Sequence, residues 1–383
     1  MQPTRENILL PVKPKLKGQV KFVNKDKNVF FATLKKRVDN YFVENNISKY
    51  GNGVLAVKTA ILLFVYVAPF VYMLATAPSY GISIMLWFIM GLGIAGLGMS
   101  VMHDANHGSY SSNKRINWLM AHVLNLLGGS TVNWKYQHNI LHHTYTNIVH
   151  MDEDIEDKLV LRFSPHTQVK PVHRFQWIYS FLFYGLTSLY WVTAKDFVQF
   201  VKFKRNGVNA SSKKENRIML AQIIAIKVVY MFVFLVVPPV FFNIPFGLVI
   251  TGFLLMHFIA GLVLTVIFQL AHSLEGTHHP LPNANGVIEN DWAIHQLETT
   301  MNFSRTNKWL SWYVGGLNFQ VEHHLFPRIS HVHYPQLSNI VKATAQEFNI
   351  PYLENRTFME AFKSHIVFLK RLGKLPDLDE AIG

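Results

Sequence analysis

The sequence predicts an all-α membrane protein in which four transmembrane helices form two hairpins, with interfacial helices and a cytoplasmic helical cap beside them. Two segments without any Asp, Glu, Lys or Arg, residues 59–102 and 228–272, support this prediction. Each is about twice as long as the roughly 20 apolar residues that a helix needs to cross a bilayer. Composition agrees, because 50% of the residues are apolar and only 15% are charged, against roughly 25% charged residues in an average soluble domain. Such a chain is not disordered.

Turn-forming residues divide both uncharged segments in two. Residues 77–81, Ala-Pro-Ser-Tyr-Gly, indicate a tight turn, which places transmembrane helices at about 57–77 and 82–102. Three prolines and an asparagine between residues 238 and 245 indicate a second turn, which places the other two helices at about 218–241 and 246–272. Two helical hairpins are therefore expected.

The distribution of Lys and Arg predicts the orientation. Residues 1–50 carry 11 of them, residues 103–217 carry 14, the chain after residue 272 carries nine, and the two hairpin turns carry none. Because cytoplasmic loops are rich in Lys and Arg, both termini and the central loop are expected in the cytoplasm. This rule and anionic lipid headgroups explain the net charge of +13 without a nucleic-acid partner. The expected single membrane domain has a cytoplasmic or interfacial N-terminus (1–53), a first hairpin (54–102), a cytoplasmic loop (103–217), a second hairpin (218–272) and a cytoplasmic tail (273–383).

Two amphipathic segments predict helices that lie on the membrane surface. In residues 30–42, aromatic and aliphatic side chains recur at helical spacing beside Lys35, Lys36 and Arg37. Residues 175–194 show a similar pattern before a basic linker. We expect this second segment to be interfacial, since a fifth transmembrane helix would place the later histidines on the opposite side of the membrane.

Histidine is the unusual residue of this chain, which has 19 histidines and no cysteine. The lack of cysteine excludes a disulfide scaffold, an iron–sulfur protein and a thiol nucleophile. Histidines four residues apart on a helix lie on one face and can bind the same metal region. An even number of membrane crossings separates the clusters, so all of them should lie on one side. The three clusters are His103 and His107; His138, His142 and His143; and Gln320, His323 and His324.

His272 is the expected eighth histidine of the same site. The fourth transmembrane helix has 27 residues from residue 246, or about 40 Å, which exceeds a hydrocarbon core of about 30 Å. Its end should therefore reach the level of the clusters. One metal takes four to six ligands, so eight imidazoles indicate two metals. Imidazole suits iron, zinc, copper and nickel, and two redox-active irons fit best, although spacing alone leaves the metal open. Three roles are open for Gln320: it binds a metal directly, it holds a water molecule, or it orients a neighbouring side chain.

In sequence order the clusters read HDANH, HNILHH and QVEHH, and they are arranged around two hairpins. This pattern resembles the membrane-bound fatty acid desaturases over roughly residues 55–345. The glutamine that begins the third box is similar to that of the front-end subgroup, which desaturates between an existing double bond and the carboxyl end. The chain has no HPGG motif of a fused cytochrome b5 domain, so the likeness is nearer to the cyanobacterial-type acyl-lipid desaturases.

The resemblance implies two iron ions, O2 as co-substrate and an external electron donor such as ferredoxin or cytochrome b5. It also implies a fatty acyl substrate carried on lipid, CoA or a carrier protein, and a place in a bacterial inner membrane rather than the endoplasmic reticulum. The implied iron ligands are His103, His107, His138, His142, His143, His272, His323 and His324, with Gln320 at the variant position. Supporting roles near the metals are expected for Asp104, Asn106, Asp152, Asp154, Asn302 and Glu322, although Asp152 and Asp154 would also fit a solvated acidic patch.

Two polar residues lie inside the predicted transmembrane helices. His257 is either a buried, hydrogen-bonded group or part of the narrow apolar tunnel that an acyl chain requires. Lys227 is a second candidate residue of this tunnel, and it is expected to reach towards the membrane surface or to contact an anionic headgroup.

Two other functions would use some of the same features. A membrane diiron hydroxylase, ketolase or epoxygenase acting on a lipid would need the same ligands. A metal transporter would need histidines along a path across the bilayer, whereas all but His257 lie outside the predicted transmembrane helices. The pattern therefore favours an oxidoreductase.

Overall fold

Four long apolar helices organise the protein. The computed structural model describes residues 20–24, 29–156 and 160–376. Within these ranges four helices are long and apolar enough to cross a membrane, and we call them spans 1 to 4 in chain order. The prediction of an all-α membrane protein is thus confirmed. Their bounds are Gly53–Thr76, Tyr80–His107, Lys213–Phe241 and Phe246–His272.

The spans extend beyond the uncharged segments because polar residues cap them. The Asn52 side chain accepts hydrogen bonds from the first backbone N–H groups of span 1. Ser212 and Glu215 form a reciprocal capping box at the start of span 3. Span 2 continues past its predicted end to His107, where Gly108 adopts a left-handed conformation with φ of 75° and ends the helix. The HDANH box therefore lies on a helical extension of span 2.

Small residues allow the helices around span 4 to pack closely. A Cβ atom at Gly252 would lie 2.0 Å from the Trp87 ring of span 2. A Cβ atom at Gly261 would lie 2.6 Å from the Gly185 carbonyl oxygen of helix Gln176–Tyr190. Span 4 thus contacts span 2 and this helix through glycine faces, which agrees with the role of small residues in membrane helix packing.

Helix Gln176–Tyr190 continues through Trp191–Lys195, which is π-helical, into Asp196–Arg205. One face lies on span 4, where the Thr187 and Thr265 hydroxyls are 2.7 Å apart. The opposite face is apolar and exposed. Its predicted position on the membrane surface remains a prediction.

A helical cap lies at the end of spans 2 and 4 that carries the histidines. Its apolar core joins helices Phe30–Glu44, Trp292–Thr299, Gln320–Leu325 and Tyr334–Glu347. The described residues also form two short pairs of parallel strands. Lys21–Phe22 pairs with Val287–Ile288, and Asn302–Phe303 pairs with Glu354–Asn355. The other helices are Lys114–Ala121, Val123–Leu126, Thr131–Trp134, Lys135–His142 (π-helical), His143–Tyr145, Pro171–Phe175, Lys308–Tyr313, His331–His333 and Phe358–Leu372.

The first amphipathic segment is a helix, Phe30–Glu44, but its predicted place on the membrane is wrong. Phe30, Leu34, Val38 and Phe42 are buried in the core of the cap. The Arg37 guanidinium also binds the cap, 2.7 Å from the Glu347 carboxylate. An apolar helical face can be covered by protein as well as by lipid, and the pattern alone does not distinguish the two.

Lys227 neither reaches the membrane surface nor contacts a headgroup, so that prediction is also wrong. Its ammonium group is buried and lies 2.5 Å from the Asp196 carboxylate. It also donates hydrogen bonds to the carbonyl oxygens of Gly128 and Trp191, at 2.6 and 2.7 Å. A buried cation requires such partners, and here they come from the segment before the second histidine box and from the helical stretch of residues 176–205.

His257 is a buried, hydrogen-bonded group within span 4. Its Nδ1 lies 2.9 Å from the Ser188 hydroxyl, and its Nε2 lies 3.1 Å from the Tyr230 hydroxyl. Ser188 lines a small cavity between spans 2 and 4, and His257 is not among the residues that line it. Of the two alternatives for His257, its contacts therefore fit a buried, hydrogen-bonded group rather than a residue that lines the acyl tunnel.

We predict that Lys227→Met lowers the melting temperature of the protein in detergent. Removing one partner of a buried ion pair leaves the other charge unpaired, which costs about 3–5 kcal/mol. The double variant Asp196→Asn/Lys227→Met should recover part of the loss, because it removes the remaining charge. Lys204→Met, at an exposed position, is the control. Equal melting temperatures for Lys227→Met and the control would show that the pair does not form.

Candidate metal centre

Four histidines from three segments form a first group. His103 and His107 lie on the extension of span 2, His138 on the π-helical segment, and His323 on helix Gln320–Leu325. Their candidate ligand nitrogens all lie within 4.8 Å of one another. This separation is small enough for four imidazoles to bind one metal ion.

A second group lies beside the first. His142, His272 and His324 place their candidate ligand nitrogens within 4.8 Å of one another. His143 lies between the groups, since its ring centroid is 4.6 Å from that of His323 and 4.5 Å from that of His324. The structure thus brings together all eight histidines that the sequence singled out, including His272 at the end of span 4.

The π-helical segment explains how the second box serves both groups. With i to i+5 hydrogen bonds, residues four and five positions apart lie on nearly the same face. The ring of His138 is accordingly close to those of His142 and His143, with centroids 5.3 and 4.7 Å away. An ordinary α-helix would direct one of these rings away from the centre.

Many of the inner ring nitrogens have no hydrogen-bond partner. The Nε2 atoms of His107, His142, His272, His323 and His324 are buried without one. The Nε2 atom of His138 lies 3.1 Å from that of His103 and 3.2 Å from that of His143. Buried polar atoms are almost always paired, so nitrogens that converge without partners are what a metal site requires.

The outer nitrogens, in contrast, are held by polar groups. His142 Nδ1 lies 3.0 Å from the Asp152 carboxylate, and His324 Nδ1 lies 2.8 Å from Gln296 Oε1. Because both acceptors take a proton from Nδ1–H, each ring turns the Nε2 lone pair inward. Hydrogen bonds of this kind orient metal-binding histidines and tune their basicity.

Burial and charge keep most of these rings neutral. Burial, reinforced by the neighbouring imidazoles, lowers the pKa of His138, His143, His323 and His324 well below the ordinary value. Burial acts on His142 in the same way, but the Asp152 carboxylate outweighs it and raises the pKa of that ring. Neutral imidazole is the form that binds a metal.

Asp104 and Asn106 lie in the first box but bind protein rather than the histidine groups. The Asp104 carboxylate accepts hydrogen bonds from the Ser330 hydroxyl at 2.7 Å and from His331 Nδ1 at 2.9 Å. The backbone carbonyl oxygen of Asn106 accepts one from Asn139 Nδ2 at 2.9 Å. Asp104 thus ties span 2 to the tail, and Asn106 ties the first box to the second.

Asp154 lies beside the second box. Its Oδ1 accepts a hydrogen bond from Gln137 Nε2 at 2.7 Å, and its Oδ2 lies 3.6 Å from His142 Nδ1. Asp152 is buried and Asp154 is largely so. Neither carboxylate therefore belongs to a solvated acidic patch.

The third box is anchored through Glu322 and Asn302. Asn302 Nδ2 donates to the Glu322 carboxylate at 2.8 Å, and the Tyr352 hydroxyl donates to it at 2.9 Å. Asn302 Oδ1 accepts from the backbone N–H of Val321. Burial raises the pKa of Glu322 to about 7. Gln320 differs from these two, because its Oε1 is buried without a partner and its side chain lies beside His272.

Some supporting residues have no signal in the sequence. Gln296 lies 28 positions before its partner His324, and Tyr334, whose hydroxyl is 3.2 Å from His323 Nδ1, belongs to no motif. Both are brought to the site by the packing of the cap. Only an alignment or a structure could have identified them.

Comparison with known proteins identifies the family. The fatty acid desaturase family matches residues 78–356. An sn-1 linoleoyl-lipid 6-desaturase of Synechocystis is 34% identical over 93% of this chain and 98% of its own length. The sn-1 linoleoyl-lipid 6-desaturase of Arthrospira platensis is 34% identical over 91% of this chain and 94% of its own length. An acyl-lipid (8-3)-desaturase of Physcomitrium patens is 31% identical over 93% of this chain and 74% of its own length.

Four apolar helices with two groups of clustered histidines at one end define a membrane protein with a candidate metal centre. The chain belongs to the fatty acid desaturase family. The predicted activity, desaturation of a fatty acyl chain by an oxidoreductase, is confirmed, and the hydroxylase and transporter alternatives are set aside.

We predict that Asp152→Asn weakens metal binding by about 10–100-fold, because loss of a carboxylate behind a metal-binding histidine typically has an effect of this size. Titration of the chelator-stripped protein with Co²⁺ would measure it. Glu156→Gln is the matched control, since Glu156 pairs with Lys202 and contacts none of the histidines. Equal affinities of the two variants would contradict a role for Asp152 in orienting His142.

Proposed function

We propose that the two histidine groups bind two iron ions and that the enzyme uses O2 to introduce a cis double bond into the acyl chain of a membrane lipid. The convergence of eight histidine rings, five of which have a buried Nε2 without a hydrogen-bond partner, is the observation that carries this proposal. Neutral imidazole binds iron well, and eight such ligands suit two ions better than one.

In this proposal the first iron is held by His103, His107, His138 and His323, and the second by His142, His272 and His324. His143 lies between the groups and completes the set, and Gln320 faces the second group. Asp152 and Gln296 would keep the inner nitrogens of their partner rings directed at the metal. When bound, an iron pair supplies oxidation of unactivated C–H bonds by O2, which side-chain acids and bases cannot perform.

The protein's own contribution is to position the acyl chain and to exclude water. The Trp134 ring contacts the rings of His103 and His107, both with centroids 5.7 Å away. The Phe268 ring contacts those of His142 and His272, at 5.0 and 4.9 Å. These aromatic side chains give each histidine group an apolar wall.

A small cavity next to the first group is our candidate for part of the acyl path. It has a volume of about 20 Å³ and is lined by Ile94, Gly98 and Met102 of span 2 and by Leu264 of span 4. Met102 precedes His103 directly. An acyl chain needs more space than this, so substrate binding would move the apolar side chains that fill the path.

The relatives support a front-end position for the new double bond. Two of them are named linoleoyl-lipid 6-desaturases, and others are named acyl-lipid (8-3)- and (7-3)-desaturases. We therefore propose that this enzyme acts on a linoleoyl-type acyl lipid, between the existing double bonds and the carboxyl end. Gln320 at the start of the third box is consistent with that subgroup.

Electrons would come from a separate donor, such as a ferredoxin or a cytochrome b5. We place both termini and the histidine centre in the cytoplasm, because Lys and Arg are concentrated in the segments around the boxes and are absent from both hairpin turns. A bacterial inner membrane fits the similarity to cyanobacterial relatives.

We predict that expression in a host without polyunsaturated lipids, supplied with linoleate, yields a fatty acid two mass units lighter, with a new double bond nearer the carboxyl end. Fatty-acid profiling with double-bond localisation would detect it. His107→Ala and His324→Ala should abolish the product, whereas His278→Ala, which changes an exposed histidine side chain, should not. A product 16 mass units heavier would contradict desaturation.

Metal content provides a separate test of the iron assignment. The purified enzyme should hold about two irons per chain, and His107→Ala and His324→Ala should each hold fewer while remaining in the membrane fraction. Full activity after exhaustive iron removal would overturn the assignment.

The role of Gln320 is tested by two substitutions. If its amide oxygen faces the second iron, Gln320→Leu should lower turnover by about tenfold or more, and Gln320→His should retain most of it because imidazole is a good ligand. Iron analysis and steady-state turnover would be measured together. Unchanged turnover of Gln320→Leu would show that Gln320 has no role at the metals.

A further inference from the structure

A second, larger pocket opens beside the first histidine group. Its volume is about 530 Å³, and His107 and Asn106 form part of its lining. His107 is the member of the group that is partly exposed. The pocket is therefore an opening through which a molecule can approach the first group from outside the spans.

The charged side chains that line this pocket are all positive. Lys114, Lys135 and Arg328 line it, and no carboxylate does. Across the residues that the structure describes, none of the three cations forms an ion pair. Other cations among the described residues do pair with carboxylates, namely Lys49, Lys202, Arg305 and Lys342. Three unpaired cations around one cavity favour an anionic occupant.

The pocket also offers a buried acceptor. Asn106 is 5% exposed, and its Nδ2 donates to the Met102 carbonyl oxygen at 2.8 Å. Its Oδ1 is buried and has no partner. Because an unpaired buried amide oxygen is unfavourable, an occupant that moves the Asn106 side chain enough to reach this atom would gain a hydrogen bond to it through a hydroxyl group.

The surroundings place the pocket at the depth of lipid headgroups. Helix Lys114–Ala121 forms one wall, and its outward face is apolar: Trp118 is 63% exposed and Leu119 is 56% exposed. An exposed apolar face next to Lys and Arg is typical of a helix that lies at the membrane interface. At this depth, the anionic molecule that can enter the pocket from the membrane side is a lipid with a charged headgroup.

The chemistry of the proposed reaction requires a headgroup near this position. A front-end desaturase oxidises a carbon only a few bonds from the ester or thioester, so the carrier of the acyl chain must lie close to the metal centre. The pocket beside His107 meets this requirement, and this step rests on the proposed function. We propose that the pocket binds the phosphate of the substrate's carrier, and so selects phosphate-bearing acyl substrates over neutral glycolipids.

Two carriers share this chemistry, a phospholipid headgroup and coenzyme A. The experiment uses the full-length, iron-loaded enzyme in nanodiscs that contain equal amounts of dilinoleoyl phosphatidylglycerol and dilinoleoyl monogalactosyldiacylglycerol, each with a different isotope label. A second reaction adds labelled linoleoyl-CoA to nanodiscs whose linoleoyl lipid is the galactolipid alone, so that these two carriers compete within one reaction. Mass spectrometry would then report which carrier holds the new double bond.

The variant is Lys114→Gln/Lys135→Gln/Arg328→Gln. We expect the wild-type enzyme to prefer phosphatidylglycerol or linoleoyl-CoA over the galactolipid, and the variant to lose roughly tenfold or more of that preference, the size of one lost charge-assisted contact. Lys204→Gln/Arg205→Gln/Lys213→Gln, which removes three exposed charges outside the pocket, is the matched control and should keep the wild-type preference. The ratio of products within one reaction is independent of electron supply.

The outcomes separate this inference from the proposed function. If the wild-type enzyme uses the galactolipid at least as well as both phosphatidylglycerol and linoleoyl-CoA, or if the ratios do not change in the pocket variant, the phosphate site is overturned while the desaturase assignment stays intact. Absence of a new double bond on every carrier, with about two irons bound, would instead contradict the proposed front-end reaction. Iron content would be measured for all variants, since Lys135 lies three positions before His138.

Discussion

The structure depends on holding inner imidazole nitrogens together in a buried place where the protein offers most of them no hydrogen-bond partner. A buried polar atom without a partner costs about 1–3 kcal/mol, so several of them at one point are unfavourable unless a ligand binds. Neutral imidazoles that converge in this way fit a metal centre. The burial that makes the site costly when empty also keeps the rings neutral and therefore ready to bind.

Hydrogen bonds beside the histidine groups hold the cap on the spans. Asn147 Nδ2 donates to the carbonyl oxygens of His272 and Thr299, at 3.0 and 3.3 Å, and so joins the end of span 4 to a helix of the cap. Asp104 joins span 2 to Ser330 and His331 in the same way. The candidate ligands come from span 2, span 4, the central loop and the tail, so metal binding at these residues would stabilise the packing of the cap by linkage.

Sequence patterns predicted the features that follow from local spacing and from helix length. The uncharged segments predicted the four spans, and the 27 residues of span 4 indicated that His272 lies with the boxes, as the structure shows. Features that depend on what covers a surface were missed. The same amphipathic pattern describes a helix on lipid and the buried helix Phe30–Glu44, and no pattern predicts that Lys227 meets Asp196 or that Gln296 meets His324.

The lengths of spans 2 and 4 bear on which carbon of a substrate is oxidised. At 28 and 27 residues, each helix is about 40 Å long and exceeds a hydrocarbon core of about 30 Å by roughly two turns. The histidines at their ends are thus held just outside the acyl region, near the depth at which lipid ester groups lie. If the carrier is held in the pocket beside His107, its fixed distance from the histidine groups sets how many carbons separate the carboxyl end from the metals. Regioselectivity then follows from the geometry at the headgroup rather than from the far end of the chain, which is the arrangement that a front-end enzyme needs in order to accept acyl chains of different lengths.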